Sequence, residues 1–162
     1  MKKLTAIILF IVSFNVNGQE FNVWKKIQTN DQFGDPTGEW INQIIVEGFF
    51  SNSTVYMEQM AAVVNDYGDA FSIFLFEYQE PPSTVFCHDG CFGVVVIKRE
   101  NGNVEMFENV FASPRGPLYF DDKSKLYKMF KSASGEKIKV FIKENTFNQY
   151  GSSTYIFEVT LL

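Results

Sequence analysis

Apolar and polar positions alternate with a period of two through most of this chain. Residues 71–78 read FSIFLFEY, with Phe71, Ile73 and Leu75 on one face and Phe74, Phe76 and Tyr78 on the other. Residues 137–143 place Ile138, Val140 and Ile142 on one face and lysines on the opposite one. Successive side chains of a strand point to opposite faces, so this is the pattern of pleated, partly or fully buried strands. The same reading predicts strands over 21–28, 41–50, 55–64, 91–99, 104–111, 118–120 and 154–161, although Ala61-Ala62 leans helical within its segment. A glycine inside a strand marks a bulge or the close approach of another backbone, and Gly48 holds that place in 41–50. Asn101-Gly102 between two apolar runs is a hairpin signal.

The period changes once. Leu126, Met129 and Phe130 fall at i, i+3 and i+4, Asp121 or Asp122 can cap ahead of them, and Gly135 lies just beyond. Lys123, Lys125, Lys128 and Lys131 then form a basic face that is expected to be solvated. The fold expected is mostly β, an antiparallel β-sandwich or open barrel with one short α-helix near 122–132. A content of 17% aromatic residues, 18 of them Phe, suits a Phe-rich β core.

The first residues bear on destination. Met1-Lys2-Lys3 is basic, 4–14 is apolar apart from Thr5 and Ser13, and Val16 and Gly18 are small residues at −3 and −1 of a cleavage site before Gln19. This is the three-part pattern of a secretory signal peptide, and the apolar run falls short of the roughly 20 residues a membrane span needs. The expectation is a signal peptide over 1–18 and a single β-rich domain over 19–162, exported to the periplasm or the extracellular space, with no membrane span after cleavage. Loss of Lys2 and Lys3 takes the formal charge from −5 to −7. An acidic chain with only Arg99 and Arg115 as arginines is poorly suited to nucleic acid, which is bound through clustered Lys and Arg.

Cys87 and Cys91 flank His88-Asp89-Gly90 and are the only cysteines. In an exported chain they are expected to form a disulfide that clamps a turn, worth roughly 2 kcal/mol in the chain-entropy model. The spacing is neither the C-x-x-C of redox sites nor the c-type haem motif.

Residues 30–40, NDQFGDPTGEW, are the most distinctive stretch. Asp35-Pro36-Thr37-Gly38 fits a type I turn position by position, and Phe33 and Trp40 on either side are expected to pin it to the core. The spacing of Gly34 and Gly38, and the lack of a following lysine, exclude a P-loop. Phe33, Asp35, Thr37 and Trp40 are the candidate binding residues of this stretch. Together with Trp24 ahead of it and GFFSNS at 48–53, DQFGDPTG resembles a motif set of small uncharacterised exported proteins and lipoproteins of Bacteroidetes. The motifs cover roughly residues 24–53, with looser likeness at 71–78 and at Tyr155-Ile156-Phe157; the Cys pair and His88 are not part of them. The resemblance implies an envelope or secreted β-rich protein and no particular activity.

Chemistry is sparse. His88 is the only histidine, Asp89 is adjacent and points away on an extended chain, and no G-x-S-x-G elbow supplies a serine. Glu77, Glu80, Glu105 and Glu108 are carboxylates without context. Trp24, Trp40, Tyr56, Tyr67 and Tyr150 could stack on sugars, but core or rim packing is the ordinary place for each. The expectation is a non-catalytic β-domain that binds an unknown protein or envelope glycan, without cofactor or metal. The alternatives are a small hydrolase using His88 and Asp89, and a Ca²⁺-stabilised glycan-binding domain using Asp31, Asp35, Asp66 and Asp69.

Overall fold

The computed structural model describes residues 20–31, 33–77, 91–112, 116–145 and 152–162. Nine strands are present among them: β1 (Lys25–Asn30), β2 (Pro36–Ser51), β3 (Glu58–Asp66), β4 (Ala70–Glu77), β5 (Cys91–Lys98), β6 (Val104–Ala112), β7 (Leu118–Asp121), β8 (Lys137–Asn145) and β9 (Thr154–Thr160). One helix, α1 (Lys125–Ser132), lies between β7 and β8. Eight strands close into an antiparallel barrel in the order β2-β3-β4-β7-β6-β5-β8-β9, and β1 is an extra strand alongside β2.

The length of β2 makes the closure possible. Its first half pairs with β1 from Asn30↔Pro36 to Lys25↔Gln43. Its last four residues pair with β9, from Gly48↔Phe157 to Ser51↔Thr154. A Cβ on Gly48 would lie 2.5 Å from the Ile156 carbonyl oxygen and 2.8 Å from Phe157 Cβ, so the glycine is there for a close backbone approach, as its place in the strand suggested.

The inward faces form one apolar cluster that includes Ile44 and Val46 of β2, Val64 of β3, Ile73 of β4, Ile97 of β5 and Val140 of β8. Burying each such side chain stabilises the barrel by about 1.5–3 kcal/mol. The outward positions of β8 and β9 carry Lys137, Lys139 and Glu158, which pair with one another.

The helix closes one end of the barrel. Phe130 packs 5.2 Å from the Phe71 ring and 5.0 Å from the Phe120 ring, centroid to centroid. The Tyr127 hydroxyl donates to the Gly68 carbonyl at 2.6 Å. Lys131 Nζ is 3.0 Å from both carboxylate oxygens of Asp66 and 4.9 Å from the Phe71 ring centroid. All four lysines of the basic face, Lys123, Lys125, Lys128 and Lys131, are exposed as expected, and Lys131 also tethers the helix to Asp66. The cap is Ser124, whose Oγ accepts from the Tyr127 N–H at 3.0 Å; Asp121 organises the preceding turn by accepting from the Lys123 N–H.

The Asn101-Gly102 hairpin forms, with Gly102 at φ +86° and Arg99 and Asn103 paired across it. The predicted 35–38 turn does not. The turn lies at 31–35, where Asp31 Oδ1 accepts from the N–H groups of Phe33 (2.8 Å) and Asp35 (3.0 Å), and Pro36, Thr37 and Gly38 already belong to β2. Phe33 and Trp40 are not pinned to the core: they are 80% and 53% exposed.

Candidate functional site

β6 has nine residues and β7 only four, because Asp121-Asp122-Lys123-Ser124 turns the chain directly into α1. Among the described residues, the two strands register through one pair, Ala112↔Leu118. A bulge in β6 helps to separate them. Gly93 faces Val110 and Val95 faces Phe107, so Glu108 and Asn109 together oppose Val94 alone. Asn109 takes φ +57°, a left-handed conformation that asparagine tolerates better than most residues. The strand bends there, and its β7-facing edge from Val104 to Phe111 carries no ladder partner among the described residues.

The result is a groove of about 740 Å³ between β6, β7 and α1. Phe107, Val110, Phe120 and Leu126 are buried or half-buried along it, and Met106, Glu108, Phe111, Tyr119, Asp121 and Lys125 stand around them. Met106 and Phe111 are 63% and 52% exposed, and Phe111 packs edge-on against Phe92, itself exposed, at 5.7 Å. The lining mixes these apolar side chains with Glu108, Asn109, Asp121, Ser124 and Lys125, and the groove is open to solvent. Partial burial raises the Tyr119 phenol above its ordinary range, and the nearby carboxylates of Asp69 and Asp121 raise it further. Glu108 and Asp121 stand at the groove, with Lys125 as the cation of its lining.

A second cluster lies inside the opposite end of the barrel. Glu77 of β4, Glu144 of β8 and Tyr155 of β9 are all buried, and the Tyr155 hydroxyl donates to Glu77 Oε1 at 2.9 Å. Burial lifts the Glu77 carboxyl above the usual carboxylate range; the Tyr155 hydrogen bond opposes this and the Glu144 charge adds to it. Burial, then the Glu77 charge, holds the Tyr155 phenol protonated at any ordinary pH. A carboxyl bound more tightly by its proton in the folded than in the unfolded state stabilises the fold at low pH. That contribution is complete below the unfolded value and is lost as pH rises through the raised folded value. Glu77→Gln removes the charge but leaves an oxygen to accept from Tyr155. It is expected to raise the melting temperature at pH values where the parent carboxyl is ionised and to flatten the decline of stability as pH rises through the raised folded value, read by thermal unfolding at several pH values. Identical pH profiles for variant and parent would dismiss this assignment.

The four candidate residues of the 30–40 stretch lie along the β1–β2 hairpin. Asp35 closes its turn, accepting from the Asp31 N–H through its carbonyl. Thr37 is engaged locally: its hydroxyl contacts that of Thr29, donates to the Thr29 carbonyl and accepts from the Glu39 N–H. Trp40 has Lys26 Nζ 6.0 Å from its ring centroid. No hydrogen bond or ring contact joins Phe33 to Trp40 among the described residues, so the hairpin displays them separately. Cys87, His88, Asp89, Glu80 and Tyr150 lie outside the described residues, as does the side chain of Cys91, and the disulfide and hydrolase readings fall there with them. Among the described residues, no three His, Cys, Asp or Glu converge as a metal site. Of the four aspartates of the Ca²⁺ alternative, Asp66 is paired with Lys131 and Asp31 holds its own turn. Of the aromatic residues considered for sugar stacking, Trp24 donates its indole N–H to the Thr160 carbonyl at 2.7 Å, whereas Tyr56 is 87% exposed. No helix among the described residues is long and apolar enough to cross a membrane.

No family model matches the chain, and searches of curated proteins and of solved structures find no significant match.

Proposed function

We propose that this chain is an exported, non-catalytic binding module that takes its ligand in the β6–β7 groove. The observation that carries the reading is the mismatch between a nine-residue and a four-residue strand, which leaves an apolar-floored groove in an otherwise closed wall. Among the described residues the inward side chains form one apolar cluster, which favours recognition at the wall and its edges. The basic and small residues at the N-terminus, and the likeness of 24–53 to exported proteins, support the periplasm or the extracellular space as its place of work.

The test uses the chain from Gln19 and a neutral solvatochromic dye such as Nile red. Saturable binding is expected at micromolar dye, with amide shifts confined to β6, β7 and α1 in NMR spectra. Met106→Glu with Phe111→Glu alters two exposed rim positions and is expected to weaken dye binding on the order of tenfold, with less than about 1 kcal/mol change in stability. Dye that does not bind, or shifts elsewhere on the molecule, would refute the reading.

A further inference from the structure

We infer that the groove receives an extended, Lys- or Arg-bearing segment of a partner protein, which lies along β6 as an added antiparallel strand. The inference rests on the groove being the binding site and names its occupant.

Two strand edges bound the groove. β7 is paired on its other side with β4, from Ala70↔Asp121 to Ile73↔Leu118, and β6 on its other side with β5. Toward each other, among the described residues, they share only Ala112↔Leu118. Alternate N–H and C=O groups of β6 therefore face the groove, and an extended backbone is the ligand that pairs with such a row. Val104 to Phe107, ahead of the bulge at Glu108 and Asn109, offer about 13 Å of regular edge at roughly 3.3 Å per residue, and Val110 and Phe111 continue it beyond the bend. Because β6 and β7 are antiparallel, a guest lying between them is antiparallel to one and parallel to the other. Pairing antiparallel to β6 uses the longer edge and the more stable ladder.

Charge selects among extended segments. Glu105 and Glu108 stand exposed on β6, Asp121 lines the other side, and Asp69 and Asp122 lie beside Tyr119; Lys125 is the cation of the lining. A second copy docking β6 against β6 would bring four glutamates together, and like charges across a strand pair are destabilising. A segment with Lys or Arg alternating with apolar residues meets Glu108 on the outer face and the apolar floor on the inner one, where Glu105 at the end of the strand takes a further cation.

The test pans a displayed library of random octapeptides against the chain from Gln19, then synthesises the enriched sequences with blocked ends. Enriched peptides are expected to alternate apolar and basic residues and to displace the dye. N-methylation of the alternate residues whose N–H faces β6 is expected to weaken binding at least ~tenfold, since each lost backbone hydrogen bond counts at about 0.5–1.5 kcal/mol. Methylation of the intervening residues is expected to weaken it less. Glu105→Lys with Glu108→Lys is expected to reverse the preference toward acidic peptides. Enrichment of acidic or uncharged peptides, equal tolerance of both methylation patterns, a β6-mediated dimer in sedimentation, or no dye-displacing peptide at all would each overturn the inference. In the last case, dye that still binds the groove leaves the binding-site reading in place, and dye that does not removes both.

Discussion

Gly48→Val is expected to cost at least about 3 kcal/mol and to lower the melting temperature by about 10 °C in a domain of this size. Any Cβ at 48 would sit 2.5 Å from the Ile156 carbonyl oxygen and 2.8 Å from Phe157 Cβ. Both are fixed points of the β9 backbone or its first side-chain atom, so no rotamer change relieves the contact. β9 has to move off β2, and the β2–β9 ladder is only four pairs long with Gly48 at its first. The loss should therefore concentrate at the closure. Hydrogen exchange is expected to accelerate in β9 and the end of β2 before it does in β5 or β6. An unchanged melting temperature would show that the wall adapts at no cost, contrary to the geometry.

That glycine was legible in the sequence because a lone glycine in a strand has few other uses. The strands themselves were legible for a similar reason: period-two alternation needs only local information. What closes the barrel is not local. β2 joins β9 across more than 100 residues, and either a sandwich or a barrel satisfies the same alternation. The 30–40 stretch shows a subtler failure. Asp35-Pro36-Thr37-Gly38 has type I residues in each position, yet Asp31 competes for the same turn. Its carboxylate satisfies two N–H groups and Gly34 takes φ +89°, so the reversal is completed before Pro36. Proline at the first position of the second strand then costs no ladder bond where its missing N–H is not needed. At the helix, Asp121 and Asp122 looked like caps, but Asp121 is used in the turn before, and Ser124 is the residue three before the first N–H it can satisfy.

The groove was not among the sites read from the sequence, which pointed to Phe33, Asp35, Thr37 and Trp40 instead. The unequal strands were legible, as 104–111 against 118–120, but nothing in the sequence marked them as a site, and Glu105 and Glu108 stood there without context. The meaning of that inequality depends on β6 and β7 being neighbours, which only the topology supplies. Glu77 had no context in the sequence because its partners arrive from elsewhere; Tyr155 is 78 positions away.

Phe130→Ala is expected to cost about 3–5 kcal/mol, the range for removing a buried phenylalanine ring. Phe130 is fully buried and contacts both Phe71 and Phe120, so the variant leaves a cavity between the helix and the barrel end rather than a surface dent. The short helix cannot hold itself in place. Eight residues lie well below the length at which an isolated helix is stable in water, so packing supplies its stability. Loss of Phe130 leaves Leu126 and Met129 as the buried anchors, with the Lys131–Asp66 pair and the Tyr127–Gly68 hydrogen bond as polar tethers. Leu126 also lines the groove, which ties stability to binding. Phe130→Ala is therefore expected to weaken dye binding under conditions where the barrel remains folded, whereas Phe130→Leu, which keeps most of the volume, is expected to retain it with a smaller loss of stability. Thermal unfolding and dye titration on the two variants separate the roles. Destabilisation by Phe130→Ala with dye affinity intact would mean that α1 seals the barrel end but takes no part in shaping the groove.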